Sequence, residues 1–111
     1  VVDQRETKSK IARSLDRRDD VALELETIEV GDYVLSDRVA VERKSVDDFI
    51  STVTGTDDRS IFDQIGDLTT NYSRPLLIIE GSVEDMYSTG VHPNAVRGVL
   101  SSLSVDFGVS I

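Results

Sequence analysis

Apolar and polar positions alternate with a period of two in several stretches, a pattern typical of strands that bury one face. The clearest is V-A-L-E-L-E-T-I-E-V, where leucines face one side and glutamates the other, as in a strand near a sheet edge. A continuous apolar run instead predicts a central strand buried on both faces. The predicted strands are residues 1–3, 21–30, the two segments that flank residues 36–38, residues 76–79 and residues 109–111.

Apolar residues three or four positions apart predict four helices. Pro93 suits the first position of the last helix, and Gly108 ends it. Strands and helices in this order, with one antiparallel hairpin, predict an α/β fold of three layers, in which helices flank a central mixed β-sheet. Residues 54–60 are polar and predict a mobile loop, with Asp57 and Asp58 in solvent. The predicted helices are residues 7–18, 45–53, 61–72 and 93–107.

The length and composition of the chain limit the class of protein. With 111 residues, it can form one hydrophobic core and therefore one domain. No apolar run approaches the roughly 18 residues of a membrane span, and the first residues, V-V-D-Q-R-E, do not resemble a signal peptide. The absence of cysteine excludes disulfides and thiolate metal sites. We therefore expect a cytoplasmic protein without a membrane partner.

The charge balance is strongly acidic. Lysine and arginine number 12 against 21 aspartates and glutamates, which gives a formal charge of −9. Such a charge opposes binding to nucleic acid, because phosphate contacts draw on clustered cations. The alternative is adaptation to a salt-rich cytoplasm, where repulsion between charges is screened within about 3 Å at 1 M salt. We favour adaptation to salt, under which the net charge does not exclude a DNA partner.

The hairpin around residues 36–38 contains the candidate chemistry. A three-residue turn pairs Leu35 with Val39, and therefore Asp32 with Glu42 on one face, whereas a two-residue turn sends these carboxylates to opposite faces. Lys44 follows Glu42 by two residues and lies on the same side of its strand.

Two carboxylates about 5 Å apart repel each other by about 3 kcal/mol at an effective dielectric constant near 20. A fold tolerates this repulsion when a cation lies between them, and oxygen ligands suit Mg²⁺ or Mn²⁺. The alternative is a structural role without a metal: Asp32 is a turn residue after Gly31, and Glu42 and Lys44 form the solvated face of an edge strand. The spacing by itself leaves both interpretations open.

The flanking residues add a family resemblance. The stretch G-D-Y-V-L-S-D-R-V-A-V-E-R-K-S-V-D-D resembles the GD-xn-ERK-xxx-D signature of the XPF nuclease family. V-V-D-Q-R-E, R-P-L-L-I-I-E-G and H-P-N-A-V-R-G-V-L are also similar to segments of that family. The resemblance implies a restriction-endonuclease-like fold of the PD-(D/E)XK superfamily. The strongest resemblance is to the archaeal Hef helicase-nucleases, and the acidic composition suits a halophilic source.

The resemblance implies a role for each residue of the motif. Asp32 and Glu42 are expected to bind Mg²⁺ or Mn²⁺, and Lys44 to contact the DNA as an electrostatic catalyst. Arg43 is expected to offer its backbone carbonyl to the metal, and Asp48 to complete the motif.

Three residues outside the hairpin also gain a role from the resemblance. Asp3 is expected beside the metal, and Arg5 is expected to reach the phosphate that is cut. Arg59 is expected to contact DNA, although its loop, G-T-D-D-R-S, is longer than the usual link in the family.

Several of these residues have structural alternatives. Ser45 and Asp48 have the spacing of a capping box at a helix start. Asp3 can serve the start of a neighbouring helix, and Arg5 can be an ordinary surface cation. His92 precedes a proline and is interpreted as the first residue of a helix, and Glu80 follows a strand end where sites of α/β proteins often collect.

The resemblance implies a metal-dependent endonuclease domain that cuts branched DNA, such as forks and flaps, near the junction of duplex and single strand. It also implies a homodimer formed through the last helix, with Val96, Val99, Leu100 and Leu103 as apolar surface. A helicase and helix-hairpin-helix modules are expected elsewhere in a longer protein. The alternative is a catalytically silent partner that keeps the fold for dimerisation, but the presence of Asp32, Glu42 and Lys44 argues against it.

Overall fold

The computed structural model describes residues 1–55 and 59–111, so the prediction for Asp57 and Asp58 lies outside the described residues. Five strands form one sheet with the order β2-β1-β3-β4-β5. Two neighbouring pairs are parallel and two are antiparallel, as expected for a mixed sheet. The strands are β1 (Val2–Asp3), β2 (Leu25–Glu26), β3 (Tyr33–Val34), β4 (Val39–Ser45) and β5 (Arg74–Glu80).

The helices begin at polar side chains that cap their first turns. Ser9, Ser45, Ser60 and Ser82 each accept a hydrogen bond from a backbone N–H two or three residues further on. None of the described helices is long and apolar enough to cross a lipid bilayer. A 3-10 helix (Gln4–Lys8) is followed by α1 (Lys10–Asp16), α2 (Val46–Thr54), α3 (Ile61–Asn71), α4 (Val83–Tyr87), α5 (Pro93–Ser101) and a π-helical turn (Ser102–Asp106).

Helices cover both faces of the sheet, which confirms the three-layer architecture. On one face, α2, α3 and α5 bury the larger core around Phe49, Ile65 and Leu77. On the other face, α1 packs Ala12 against Tyr33 and neighbouring apolar residues of the sheet. The long strand β4 contributes to both cores, since its side chains alternate between the two faces.

The hairpin between β3 and β4 has the register that an odd-length turn requires. Tyr33 pairs with Val41 and Val34 with Ala40, and the N–H of Leu35 donates to the carbonyl of Val39 at 2.9 Å. Of the two alternatives, this ladder has the three-residue turn, which places Asp32 and Glu42 on one face. It directs alternate residues of both strands, beginning with Val34 and Ala40, to the face of the larger core.

Two predicted elements near the N-terminus are shorter than expected. The strand predicted at residues 21–30 contains only Leu25–Glu26, because β1, its neighbour in the described sheet, offers just two residues to pair with. The helix predicted at residues 7–18 begins at Lys10, because Ser9 caps it and the preceding turn is a 3-10 helix.

Three burial predictions are wrong. Leu25, expected on the buried side of its strand, is 48% exposed, because β2 is the edge strand of the sheet.

The other two concern β5 and the last helix. β5 is the last strand of the ladder, next only to an isolated bridge at Ser110, and Ile78 is 44% exposed because the smaller core ends before it. In the last helix, Val96 and Leu103 were expected to offer surface, but both are fully buried because they pack against α2 and α3 in the larger core. Val99 and Leu100 remain half-buried.

Candidate active site

Asp32 lies just before β3, at the point where the backbone ladder stops. Gly31 precedes it with a φ of +90°, a conformation that favours glycine and turns the chain into the strand. The N–H of Asp32 donates to the carbonyl of Val41 at 2.8 Å. The Asp32 Oδ2 atom accepts the N–H of Arg43 at 2.8 Å. The carboxylate thus continues the ladder in place of a backbone carbonyl, which fixes its position against β4.

Glu42 and Lys44 point to the same face of β4, because side chains alternate along a strand. Burial, followed by the negative charge of Asp32, raises the pKa of Glu42 to about 7. Burial also raises the pKa of Asp32, and the hydrogen bond from Arg43 opposes that rise. The positive charge of Lys44 opposes both rises, because it stabilises the ionised forms of the two carboxyls. The three residues thus interact electrostatically, as the hairpin geometry predicts.

A cleft of about 170 Å³ opens at these carboxylates. Its volume is that of five or six water molecules, at about 30 Å³ each. Arg5 and Arg59 lie on its wall, so two of the predicted DNA contacts and both predicted metal ligands line one cavity. Its lining residues are Arg5, Glu29, Val30, Gly31, Asp32, Glu42, Arg59, Gln64 and Asp67.

Arg5 is held at the cleft by Asp3. Asp3 is 1% exposed, and its carboxylate accepts hydrogen bonds from the Nε of Arg5 at 2.5 Å and from the N–H of Ile28 at 2.9 Å. Burial raises the pKa of Asp3, but the hydrogen bonds from Ile28 and Arg5 outweigh it, so the pKa lies below its ordinary value. Asp3 also caps the 3-10 helix by accepting the N–H of Arg5. The structure therefore gives Asp3 the helix-start role, and through Arg5 it also shapes the cleft.

Arg59 is anchored on the other wall. Its guanidinium donates to the carboxylate of Asp67 on α3, and Gln64 donates to its backbone carbonyl at 3.3 Å. Both groups of the ion pair are more than half exposed. The exposed side chain can therefore exchange Asp67 for a phosphate at little cost, since surface ion pairs contribute less than about 1 kcal/mol.

The side chain of Arg43 points away from the cleft, to the opposite face of the sheet. Its Nε donates to Glu6 at 2.9 Å and its Nη1 donates to Glu80 at 2.6 Å. Tyr33 donates its hydroxyl to the same Glu6 carboxylate at 2.9 Å. We call Glu6, Tyr33, Arg43 and Glu80 the rear network. It lies directly behind Glu42 and Lys44.

Glu6 was missed in the sequence, although it is 8% exposed and central to the rear network. Its partner Arg43 is 37 residues away, so no local spacing connects them. A signal was present in the charge alternation of V-E-R-K: if Glu42 and Lys44 share one face, Arg43 must lie on the other, where a buried guanidinium needs a carboxylate.

The remaining candidates have structural roles. Asp48 is exposed, and its N–H donates to Ser45 at 3.1 Å, the contact expected of a capping box; its catalytic role stays a prediction. His92 caps α5 by accepting the N–H of Asn94 at 3.0 Å, which confirms its interpretation as a helix-start residue. Glu80 pairs with Arg43 and does not line the cleft.

The carboxylate oxygens of Asp32 and Glu42 are suitable ligands for a hard divalent cation. Glu42 receives no hydrogen bond from the described residues, and Asp32 keeps one carboxylate oxygen without a hydrogen-bond donor among them. No cluster of three or more acidic, histidine or cysteine ligands occurs within residues 1–55 and 59–111. Mg²⁺ suits such a site, because it commonly binds through one or two carboxylates and keeps several waters.

A larger groove of 640 Å³ lies at the other end of β4, beside Arg38 and Arg74. None of its described lining residues is acidic, so it offers no carboxylate for a metal ion. We therefore assign the candidate chemistry to the smaller cleft.

Comparison with known proteins identifies what the chain is similar to. The model of the ERCC4 domain matches residues 2–111. A protein of Methanocaldococcus jannaschii that carries the name of an ATP-dependent RNA helicase is 45% identical over 80% of the chain. The 3′-flap repair endonuclease Xpf of Saccharolobus solfataricus is 39% identical over 74% of the chain. The chain spans 10% and 34% of these two relatives, respectively.

The fold has a solved counterpart. XPF from Aeropyrum pernix, determined in complex with DNA, superimposes with a TM-score of 0.79 and 26% identity. The match covers 98% of this chain and 52% of that protein. The predicted restriction-endonuclease-like fold and the resemblance to XPF nucleases are thereby confirmed.

The raised pKa of Glu42 makes stability depend on pH. Between about pH 4.5 and 7 the folded metal-free protein binds more protons than the unfolded chain, so its stability falls as the pH rises through this window. Glu42→Gln removes the free-energy cost of ionising this buried carboxyl. We expect it to be more stable than the wild type by about 1–2 kcal/mol at pH 8 and nearly equal near pH 4.5, measured by urea unfolding with chelator. Glu29→Gln, on the same cleft but exposed, should follow the wild type; a pH-independent effect of Glu42→Gln would contradict the account.

The rear network makes a second prediction. Glu6→Gln leaves the half-buried guanidinium of Arg43 with only the exposed carboxylate of Glu80 as counter-charge, so we expect a loss of about 2–3 kcal/mol in the free energy of unfolding. Glu80→Gln is the matched control: its carboxylate is 53% exposed, and its loss should stay below about 1 kcal/mol. Equal losses in the two variants would show that Glu6 has no special part in the network.

Proposed function

Because the chain belongs to the ERCC4 domain family, we propose that it is the nuclease domain of a structure-specific DNA endonuclease. Residues 1–111 form this domain within a longer protein. The domain cuts branched DNA, such as forks and flaps, near the junction of duplex and single strand. Its cellular task is DNA repair and the processing of stalled forks.

One observation carries this proposal. Asp32 and Glu42 converge on one cleft whose walls also hold Arg5 and Arg59. Burial raises the pKa of both carboxyls, and the charge of Asp32 raises that of Glu42 further. Two such carboxyls in a cleft with arginines are suited to hold a cation against a phosphate. The names of the relatives agree with this chemistry, since they include DNA repair endonucleases.

The domain is proposed to use Mg²⁺ or Mn²⁺, bound by Asp32 and Glu42 and, by family resemblance, by the backbone carbonyl of Arg43. Such an ion lowers the pKa of a bound water and offsets negative charge on phosphoryl oxygens. Its binding also replaces the proton that Glu42 carries below about pH 7. Metal affinity should therefore weaken as the pH falls through that value.

The chain's own cations complete the proposed reaction. The Nζ of Lys44, on the face of Glu42, offsets the charge that develops on the phosphoryl oxygens as the bond breaks. Arg5 offers its exposed guanidinium to the phosphate that is cut, while Asp3 holds it in place. Arg59 can bind a neighbouring phosphate in place of Asp67.

The wider organisation is also a proposal. Relatives are three to ten times longer than the matched segment, so we place a helicase and helix-hairpin-helix modules elsewhere in the full protein. The cytoplasm of a salt-adapted archaeon is the proposed location. The acidic surface there would keep the protein soluble while DNA contacts are confined to a few cations.

Dimerisation through the C-terminal helices is proposed as well. Val105 is 79% exposed after α5, and Phe62, 38% exposed, stacks on Phe107 beside it. We expect the chain to sediment as a dimer, and Val105→Glu to weaken the association at least tenfold. Val83→Glu, at a residue 67% exposed on α4, is the matched control. A wild type that stays monomeric at every concentration would contradict this interface.

Cleavage of a labelled fork tests the proposed activity. With Mn²⁺, Asp32→Asn, Glu42→Gln and Lys44→Ala should each cut about 10²–10³-fold more slowly than the wild type, because each removes a charge next to the reacting phosphate. Glu24→Gln, an exposed glutamate beside β2, should cut at the wild-type rate. Unchanged cleavage in the first three variants would contradict the assignment of the active site. A wild type that binds Mn²⁺ and dimerises but cuts nothing would instead favour the silent partner.

A further inference from the structure

The positive charge of the chain is concentrated in one segment. Residues 8–18 contain five of the 12 basic residues and only one of the 21 acidic residues. The rest of the chain is correspondingly more acidic than the net charge of −9 suggests. Adaptation to salt does not explain why the basic residues are concentrated here, because it would replace basic by acidic residues in this segment as in the rest of the surface.

The segment forms α1, and the helix aligns three of its cations. Lys10, Arg13 and Arg17 follow one another at spacings of three and four, so they lie along one stripe of the helix. Ala12 is buried on the opposite side, where α1 packs against the sheet. All three side chains are exposed, and no ion pair with the described residues engages them. We call them the α1 stripe.

Helix stability accounts for only part of the α1 stripe. Arg13, in the last turn, and Arg17, at the C-terminal cap, interact favourably with the helix dipole, but Lys10 is the first residue of α1, where a positive charge is unfavourable. The first turn of α1 holds no acidic residue, unlike those of α2, α3 and α4. Arg18, by contrast, is paired with Asp20 at 2.8 Å and has a local role.

The α1 stripe begins close to the cleft along the chain. Arg5, on the wall of the cleft, lies in the 3-10 helix that leads through Ser9 into α1. From Lys10 to Arg17 the helix rises by about 10 Å at 1.5 Å per residue. This length matches about three steps between successive phosphates of one DNA strand, at 3.4 Å per step along the axis.

We propose that the α1 stripe binds the phosphate backbone of a duplex arm of the DNA substrate, away from the bond that is cut. The proposal rests on the nuclease function proposed above. The stripe adds sequence-independent affinity for the duplex. It takes no part in the chemical step. Its occupant is nucleic acid because three unpaired cations in a row complement a polyanion, whereas the surrounding acidic surface repels one.

The test compares two triple variants that remove the same charge. Lys10→Gln, Arg13→Gln and Arg17→Gln remove the α1 stripe, and Arg38→Gln, Arg74→Gln and Arg97→Gln remove three exposed arginines elsewhere. Binding of a fluorescent fork is measured with Ca²⁺ over a salt series in which melting curves show that each variant is folded. We expect the stripe variant to bind at least tenfold more weakly and to lower the salt slope by about two to three, at about 0.9 for each phosphate that is no longer neutralised. The control should stay within threefold of the wild type.

Cleavage separates this inference from the proposed function. At saturating fork concentration and with Mn²⁺, the stripe variant should cut at the wild-type rate, because the stripe supplies binding alone. If the wild type binds and cuts but the stripe variant binds equally well, the proposed role of the α1 stripe is wrong and the nuclease function stands. Equal weakening in the control variant would also overturn it, since net charge would then set the affinity. A wild type that neither binds nor cuts the fork would overturn both.

Discussion

Arg43 connects the two faces of the sheet, and the arrangement of the cleft depends on that connection. Its backbone N–H binds the carboxylate of Asp32 at 2.8 Å, while its guanidinium is bound by Glu6 and Glu80 on the other face. Because Arg43 lies between Glu42 and Lys44, fixing its side chain behind the sheet also fixes the direction of theirs in front. The partly buried ion pair of Glu6 and Arg43 thus contributes to the precision of the site as well as to stability.

The architecture near the cleft follows from local rules. The apolar pattern and the parity of the turn predict the hairpin register, since a shift by one residue would move every side chain of β4 to the wrong face. The capping spacing of Ser45 and Asp48 predicts where α2 begins. These signals lie within a few residues of the elements they determine, which is why the sequence could predict them.

The errors come from long-range partners. The strand at residues 21–30 has the right pattern, but its length is limited by the two residues of β1. The burial of Val96 depends on how α5 packs, and the ion pair between Glu6 and Arg43 joins residues 37 positions apart. Patterns along the chain assign side chains to faces, but they do not show which element covers a face. Glu6 was missed for that reason.

Within residues 1–55 and 59–111, the two carboxyls whose pKa is raised both lie in the cleft. The fold places two carboxyls of raised pKa together in an already acidic chain and surrounds them with arginines that other acidic residues hold in place. Ionising both carboxyls destabilises the fold when the cleft is empty, whereas a bound cation offsets their repulsion. The concentration of positive charge in α1 complements it, because a cleft suited to a cation cannot by itself attract a polyanion.

The central claim is that Asp32 and Glu42 share one divalent cation. A crystal structure with Mn²⁺, located by its anomalous scattering, tests this most directly. We expect a single strong peak in the cleft, with carboxylate oxygens of both residues at about 2.0–2.3 Å from the ion. A peak bound by only one of the two carboxylates, or no peak in the cleft at saturating Mn²⁺, would contradict it.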